Sequence, residues 1–456
     1  MKDRLRRPGP LAIACVVVPL VTVGLTLGSG ADEAADQPLT EAESTALTRA
    51  TVVCPTSGQD GAVMVASDAG ADGELSVEAG NRDPRPLEVT SGRVSRVRGQ
   101  GSQQAVSVTG TGALAPGLTA TRTASPGLRA VECRPVTSDQ WFAGVGAGAE
   151  HRSVLELHNP DSGPAAVQVA LLGQSGPVQE RGLRGLTVAG GDTVRLELAE
   201  QIPKREELAM RVTTTRGRVA VSVLDGFDPI GQDAETRDYL VGQADPSTDS
   251  HLLGLPTRPG NAALVVANPG EDAARVKVRL VTEQSVFAPA RLEEVQVRAG
   301  SVVRLSISRL LASDVAEGVV GLRVESSEPV VSAFRGRRGG DLLTLSPGER
   351  VTGPTLLAVP AGGKRLVLGG ATSLGTATVV SLDEKGRELA REAVEVQPDR
   401  AVVVPLPERS GTVRVEPDRT SLVGSVLLQG EAGAAVLGLR ELVREGRVPA
   451  VLPGLP

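Results

Sequence analysis

The chain has 456 residues, a formal net charge of −6 and only 1% aromatic residues, so its hydrophobic cores must consist mainly of Val, Leu and Ala. Domains of typically ~100–150 residues predict about three or four of them in this length. The acidic balance and the scarcity of rings argue against a nucleic-acid-binding protein, which needs a basic face and, for single strands, aromatic platforms.

The N-terminal region has the pattern of a membrane signal. Residues 1–10 are basic and residues 11–28 carry no charge. At ~1.5 Å rise per residue such a helix reaches about 27 Å, enough to cross a bilayer core. We interpret residues 11–28 as an uncleaved transmembrane signal-anchor, with a cleaved signal peptide as the alternative. Cys15 lies too early in the run for a lipoprotein cysteine and is interpreted as a buried membrane thiol.

The charges on either side of this run predict its orientation. Basic residues precede it, and Asp32, Glu33 and Asp36 follow it. This asymmetry predicts a cytoplasmic N-terminus and an extracytoplasmic bulk of the chain. Residues 29–50 are small, polar and acidic, and are predicted to form a spacer.

Residues 51–140 are predicted to form a first β-unit with a disulfide. Short alternating runs, such as Val63 with Val65, are broken by Gly, Pro, Asp and Ser, which indicates strands. Cys54 and Cys133 lie where this unit opens and closes, and outside the cell they are expected to pair. A loop of this length gives roughly 4–5 kcal/mol on the chain-entropy account. A metal site is a poor alternative, because the pair has no CxxC spacing and no nearby histidine.

Residues 141–250 and 251–353 are related by an internal repeat. The segments Leu155–Pro160 and Leu264–Pro269 both begin with Leu and end in Asn-Pro, and they lie 109 positions apart, as do Gly191 and Gly300. Residues 354–456 hold a fainter copy in which Gly369-Gly370 stands in place of Asn-Pro. Either pair of residues can form a turn. The chain from residue 51 is therefore predicted to consist of four β-units.

Hydrophobic residues in these units recur with a period of two. Val276, Val278 and Leu280, for example, alternate with basic residues. This period predicts antiparallel sheets with one buried face. The fold class is predicted to be all-β, with tandem immunoglobulin-like β-sandwich repeats after one N-terminal transmembrane helix. The alternative is a β-propeller of eight blades, two per repeat, closed by pairing of the C-terminal tail with the first unit.

The sequence contains no familiar catalytic or nucleotide-binding motif. HExxH, GxSxG, Walker and GxGxxG-after-strand patterns do not occur. We therefore predict no catalytic residues, no cofactor, no metal site and no enzymatic activity. His158 precedes the Asn-Pro turn, but Ala267 replaces it in the second copy. It is interpreted as a strand-end surface residue rather than a catalytic base.

Other conspicuous residues receive structural interpretations. Trp141-Phe142 is predicted to anchor a core or an interdomain joint, with a sugar-stacking platform as the alternative. The pairs Glu206-Glu207 and Glu293-Glu294 are interpreted as solvated surface charges rather than glycosidase carboxylates. Arg335, Arg337 and Arg338 are predicted to lie on a solvated hairpin tip, with a site for an anionic envelope polymer as the alternative.

These features together resemble a known family. Cys54-Pro55, Cys133, Trp141-Phe142 and Leu155–Pro160, after a basic start, one span and an acidic spacer, are similar to an actinobacterial family of single-pass envelope proteins whose function is unknown. The resemblance extends over nearly the whole ectodomain. It implies a membrane-anchored, extracytoplasmic placement and supplies no activity.

The sequence thus predicts a membrane-anchored extracytoplasmic protein that acts as a non-enzymatic structural or interaction module of the cell envelope. Its expected partners are an unidentified envelope protein or polysaccharide and, through the N-terminal helix, the membrane. Nucleic acid is not expected. One alternative is a glycan- or lipid-binding module, since β-sandwich loops and propeller mouths often hold such sites. A second is a hydrolase that modifies the cell wall.

Overall fold

The computed structural model describes residues 43–58, 61–97, 104–203, 205–228, 235–290 and 292–448. They fall into two compact units, one of residues 47–444 and a small one that contains residues 43–46 and 445–448. The predicted cytoplasmic segment 1–10, the anchor 11–28 and most of the spacer 29–50 lie outside the described residues. No helix in the described ranges is long and apolar enough to cross a membrane.

A first β-sandwich follows β1 (Glu43–Ala46), which belongs to the small unit. Its strands are β2 (Arg49–Cys54), β3 (Gly61–Ser67), β4 (Gly73–Ala79), β5 (Arg85–Val89), β6 (Ser95–Val97), β7 (Val106–Thr111), β8 (Leu118–Ala124) and β9 (Arg129–Glu132), with a 3-10 turn at Gly112–Leu114. They form two four-stranded sheets, in the orders β2-β7-β4-β5 and β6-β3-β8-β9. Val65, Val77 and Val108 belong to the core that these sheets share.

The second sandwich is one nine-stranded sheet folded into two layers. Its elements are β10 (Asp139–Ala147), β11 (His151–His158), β12 (Ala165–Gly173), β13 (Gly176–Val178), a 3-10 turn (Arg181–Leu183), β14 (Leu186–Val188), β15 (Thr193–Glu197), the short helix α1 (Leu198–Gln201), β16 (Arg205–Arg216), β17 (Ala220–Phe227) and β18 (Thr236–Leu240). The order is β13-β12-β16-β10-β11-β17-β18, with β14 on β12 and β15 on β11. Only Ala147 and Arg152 pair between β10 and β11, so the sheet turns there.

In the third sandwich, one long strand connects the two layers. Its elements are β19 (Ser247–Leu253), β20 (Gly260–Asn268), β21 (Ala274–Thr282), β22 (Val286–Phe287), β23 (Val295–Val297), β24 (Ser301–Ser306), α2 (Ser308–Leu311), a 3-10 turn (Asp314–Ala316), β25 (Val319–Arg338) and β26 (Asp341–Leu345). The first half of β25 pairs with β19 and β21, and its second half pairs with β20 and β26. One strand therefore contributes to both layers.

The fourth sandwich again has two separate sheets. Its strands are β27 (Arg350–Val351), β28 (Thr355–Ala358), β29 (Gly363–Gly369), β30 (Gly375–Asp383), β31 (Glu388–Val396), β32 (Val402–Leu406), β33 (Ser410–Asp418), β34 (Leu422–Gly430) and β35 (Gly433–Gly438). The orders are β27-β34-β29-β32, with β35 on β34, and β28-β33-β30-β31. In the small unit, β36 (Glu445–Val448) pairs with β1. Every strand pairing in the described ranges is antiparallel, so the all-β, antiparallel prediction is confirmed.

The Asn-Pro turns have the same hydrogen bonds in the second and third sandwiches. Asn159 Nδ2 donates to the carbonyls of Gly163 and Val188, at 2.8 and 3.1 Å. Asn268, 109 positions later, donates to the carbonyls of two residues at the same offset, at 2.7 and 3.1 Å. In both turns the Asn Oδ1 accepts the amide two residues on, at 3.0 Å. Each buried Asn thus ties the turn to a neighbouring strand.

Within residues 47–444, the sandwiches contact one another in a closed cycle. Each interface includes a polar or apolar contact between buried or half-buried side chains. The contacts are Thr56 with Glu156 (first and second), Glu207 with Arg335 (second and third), Leu253 with Val367 (third and fourth) and Asp68 with Arg414 (fourth and first).

Candidate ligand-binding cavity

The predicted disulfide is present and lies at the edge of a cavity. Cys54 is bonded to Cys133, with their Cα atoms 4.2 Å apart, and both side chains are buried. Cys54 belongs to β2 and Cys133 follows β9, so the bond joins the two sheets of the first sandwich. Cys133 also lines the cavity.

This cavity has a volume of about 400 Å³ and lies between the first, second and fourth sandwiches. We call it the junction cavity. Most of its wall is apolar. The apolar residues are Leu47, Ala50, Val52, Ala115, Leu118, Pro135, Val136, Leu356, Leu357, Leu442 and Val443. Val443 is 57% exposed, so the cavity opens to solvent. Its size and apolar wall are typical of small-molecule sites.

Five charged residues complete the lining of the junction cavity: Arg49, Arg218, Arg440, Glu132 and Glu441. Arg218 donates to the carboxylate of Asp161 at 2.7 and 2.9 Å. Glu441 accepts from the amide and hydroxyl of Thr352, at 3.1 and 2.9 Å. Backbone hydrogen bonds of this kind lower the pKa of Glu441. The lining therefore presents three guanidiniums and two carboxylates at defined positions on an apolar wall.

Glu132 is the buried acid of the cavity. Its side chain is 4% exposed, and neither carboxylate oxygen accepts a hydrogen bond of normal geometry from the described part of the chain. Burial raises the pKa of Glu132, and the guanidinium of Arg134 opposes the rise only in part. The protein therefore favours the neutral form of this carboxyl group.

Behind Glu132, an arginine pair holds a second carboxylate. Arg134 Nη1 donates to Glu349 Oε1 at 3.2 Å, and Arg440 Nε donates to Glu349 Oε2 at 3.0 Å. Arg134 also donates to the carbonyl of Gly242 at 3.2 Å. Burial by itself raises the pKa of Glu349, but the two guanidiniums outweigh it and the pKa is lowered. The residues of this cluster lie in the segments that precede or follow the strands of the sandwiches, and the cluster fixes the position of Arg440.

The prediction that Trp141 lies in a core is confirmed. Its side chain is 8% exposed and belongs to a core that extends from the second sandwich into the third, through Val265 and Val331. The guanidinium of Arg211 lies 5.1 Å from the ring centroid. The indole therefore has no open face comparable to that of a sugar-stacking platform.

The prediction that His158 is a surface residue is wrong. The side chain is 3% exposed at the contact between the first and second sandwiches. Its Nε2 and Nδ1 lie 2.9 Å from the hydroxyls of Ser107 and Thr193. Burial lowers the pKa of His158 to about 4. The absence of a histidine in the second copy of the repeat thus reflects a different neighbouring sandwich.

Two predicted surface charges are also buried. Glu207 is 6% exposed, accepts from Arg335 at 2.8 Å and forms an ion pair with Arg304 at 2.9 Å. Arg335 is 9% exposed, so its assignment to a solvated tip is wrong. Both lie where the second sandwich meets the third, and the ion pair replaces the water that each side chain loses. The side chain of Glu206 lies outside the described residues.

The remaining surface predictions agree with the structure. Arg338 is exposed and lies at the end of β25, next to the hairpin turn Gly339–Gly340. Glu293 and Glu294 are exposed, and Glu294 lies 3.3 Å from Lys277. No group of three or more metal-ligating side chains occurs among the residues that the structure describes.

Sequence reasoning missed the charged residues of the junction cavity. Glu132 carries a weak signal in the sequence, since it is a charged residue between Val131 and the disulfide cysteine Cys133. Arg218, Glu349 and Arg440 carry no such signal, because they come together only through contacts between sandwiches.

The fold and the cavity define a class of multi-sandwich β-protein with a ligand-sized space between its sandwiches. A family model matches residues 94–407, most of the chain. The chain belongs to that family, which is described as "Family of unknown function (DUF5719)". No curated protein matches the chain.

Proposed function

We propose that this protein is a membrane-anchored, extracytoplasmic, non-enzymatic interaction module of the cell envelope, and that its junction cavity binds a lipid-like ligand with an acidic head group. The observation that carries the ligand proposal is the cavity of about 400 Å³ with an apolar wall and three arginines. An apolar chain would replace water along that wall, with a gain of ~25 cal/mol per Å² of apolar surface buried.

The charges of the cavity favour an acidic head group over a basic one. Arg49, Arg218 and Arg440 face two carboxyl groups, and burial favours the neutral form of Glu132. Three guanidiniums outnumber two carboxyl groups, so the lining carries a net positive charge even with both carboxyl groups ionised. Arginine forks match the two oxygens of a carboxylate or phosphate group.

The placement in the envelope rests on the sequence and the disulfide. Residues 11–28 have the length and composition of a signal-anchor. A disulfide between buried cysteines suits an oxidising compartment, since cytosolic thiols are kept reduced. The finer architecture that we propose is four tandem immunoglobulin-like sandwiches after this anchor. Paired sheets around a shared core in the first sandwich support sandwiches over eight radial blades.

The two rival functions have less support. A glycan platform needs an exposed ring, and Trp141 is buried. A hydrolase needs an activated nucleophile. The buried Ser153 donates its proton to Asp225 Oδ1 at 2.6 Å, which directs this hydroxyl toward a carboxylate.

The ligand proposal is tested with the full chain, produced in an envelope membrane, extracted in mild detergent and washed extensively. Lipids that remain bound are quantified by mass spectrometry. Leu442→Trp places a large ring in the junction cavity, and Leu374→Trp is its matched control at a residue that is 62% exposed and outside the cavity.

We expect the Leu442→Trp variant to lose a lipid species that the parent protein and the Leu374→Trp variant retain. Lipids around the membrane anchor are common to all three proteins and cancel in the comparison. Arg218→Gln is expected to lower the proportion of acidic species among the retained lipids. Identical lipid content in the two tryptophan variants would refute the ligand proposal.

A further inference from the structure

A second pocket lies beside the contact between the second and third sandwiches. Its volume is about 270 Å³. Its polar lining consists of Arg304, Arg335, Arg337, Asn261, Ser306 and Ser308. Phe227 and Leu342 provide apolar wall. We call it the arginine pocket. It shares no lining residue with the junction cavity, so the two sites can be tested separately.

Two of the arginines are held by one carboxylate. Arg335 Nη2 lies 2.8 Å and Arg304 Nε lies 2.9 Å from the same oxygen, Glu207 Oε1. The guanidinium of Arg335 also lies 5.7 Å from the centroid of the Phe227 ring. Because these contacts fix the planes of the guanidiniums, less side-chain entropy is lost when a ligand binds them.

The third arginine is held by the adjacent hairpin. Arg337 donates from Nε and Nη2 to the carbonyl of Gly340, at 3.1 and 2.6 Å. Gly339 and Gly340 have φ angles of 59° and 88°, which glycine adopts without strain. The turn thus places a backbone carbonyl where it orients the guanidinium at the pocket.

The charge of the pocket is strongly positive. Among the described residues its lining has three guanidiniums and no carboxylate. Glu207, which lies behind Arg304 and Arg335, offsets one positive charge. Asp341 is next in sequence to Leu342, but its Oδ2 accepts from the amide of Leu128 in the first sandwich at 2.9 Å. Positive charge therefore remains available to a ligand.

We propose that the arginine pocket binds an oxyanion carried on a small polar molecule. Arg304 and Arg337 would donate to the phosphate or carboxylate oxygens, and Arg335, whose Nη atoms contact His151 and Glu207, would add positive charge. The hydroxyls of Ser306 and Ser308 would contact the polar body of the molecule. The volume of about 270 Å³ is just below the usual range for small-molecule sites, which suits a ligand of a few carbon atoms. A phosphate ester should bind more tightly than a carboxylate, since it carries more charge.

The test is isothermal titration of the full chain in detergent with three probes that differ in one group: glycerol 3-phosphate, glycerate and glycerol. The variants are Arg337→Gln and Arg304→Gln. Arg309→Gln is the matched control. It changes the net charge by the same amount, and Arg309 is exposed in α2 and does not line the pocket.

We expect saturable binding of glycerol 3-phosphate, weaker binding of glycerate and none of glycerol. Each pocket variant should weaken the binding of glycerol 3-phosphate about tenfold or more, the loss typical of one charge-assisted hydrogen bond. The Arg309→Gln variant should bind as the parent does. Equal affinity of the Arg337→Gln and Arg309→Gln variants, equal binding of glycerol, or no binding of either anion would each overturn the proposal.

Discussion

Buried polar side chains in this protein concentrate where two sandwiches meet. Glu207 and Arg335 lie at one such contact, His158 at another and Glu132 at a third. The sequence does not predict that these side chains are buried, because charged and polar residues are ordinarily exposed. Their burial depends on a partner sandwich that is distant in sequence, and the strand period reports only the burial within one sandwich.

We predict that His158 makes the protein sensitive to acid. Its pKa is about 4, lowered from 6.5, so its contribution to stability is present above pH 6.5 and lost as the pH falls toward 4. Between pH 7 and 5 this amounts to roughly 2 kcal/mol. Denaturant unfolding at pH 7 and pH 5 measures this change in the free energy of unfolding. The change should be smaller in the His158→Gln variant than in the parent, by roughly 2 kcal/mol.

His251 provides the comparison for this experiment. Burial also lowers its pKa to about 4. The His251→Gln variant should show a similar decrease in pH dependence, and the two effects should add if the sites are independent. An unchanged pH dependence in the His158→Gln variant would contradict the assignment.

Glu132 should destabilise the protein at neutral pH. The pKa of Glu132 is raised in the folded state from its ordinary value near 4.5. Below the ordinary pKa, Glu132 does not lower the free energy of unfolding. As the pH rises toward the folded-state pKa, the free energy of unfolding decreases. Glu132→Gln removes this loss and is expected to increase the free energy of unfolding at pH 7 by roughly 1–3 kcal/mol, with little change at pH 4. Glu74→Gln, at an exposed position, is the control and should change neither value. Destabilisation by Glu132→Gln at pH 7 would contradict the prediction.

At the scale of elements, the Asn-Pro turns show what a repeat can predict. The pattern at Asn159 and Asn268 predicts a turn at each position, and the structure has matching hydrogen bonds at both. A turn depends on residues near in sequence, so its pattern survives in both copies. The carbonyl partners in β14 and β23, Val188 and Val297, are more distant in sequence. They lie at the same offset from the Asn in both copies, so the repeat preserves these bonds as well.

The side-chain amide of Asn268 should therefore contribute substantially to stability. Asn268→Asp keeps the shape and the acceptor oxygen but removes both donated bonds, and it places a carboxylate against two carbonyls. We expect a decrease of about 2–4 kcal/mol in the free energy of unfolding. Asn81→Asp, at an exposed position, is the control. Equal stability of the two variants in denaturant unfolding would show that the bonds contribute little.

At the scale of the whole molecule, residues 47–444 are organised by four interfaces in a closed cycle. The contact between the fourth and first sandwiches includes Asp68 with Arg414 at 2.8 Å, the amide of Val94 bonded to the carbonyl of Glu384 at 3.0 Å, and packing of Met64 on Ala358. The sequence predicts the units and raises closure only in the propeller alternative, through the C-terminal tail; it does not predict these contacts between the fourth and first sandwiches.

The cycle predicts cooperative unfolding. A sandwich that leaves a closed cycle loses two interfaces instead of one, so residues 47–444 should unfold in a single calorimetric transition. Asp68→Asn, which weakens the bonds to Arg414 and Arg444, should lower the transition temperature. Asp399→Asn, at an exposed position, should not. Two or more resolved transitions in the parent protein would show that the sandwiches unfold independently.

The position of the single tryptophan has a practical consequence. Trp141 belongs to the core shared by the second and third sandwiches, and its backbone pairs with Gln243, which in turn accepts from the amide of Ser332. The fluorescence of Trp141 therefore reports on the interface between the second and third sandwiches, one of the four interfaces. Separation of the second sandwich from the third would bring water to the indole and shift the emission to longer wavelength. Separation of the fourth sandwich from the first would leave the emission wavelength of Trp141 unchanged.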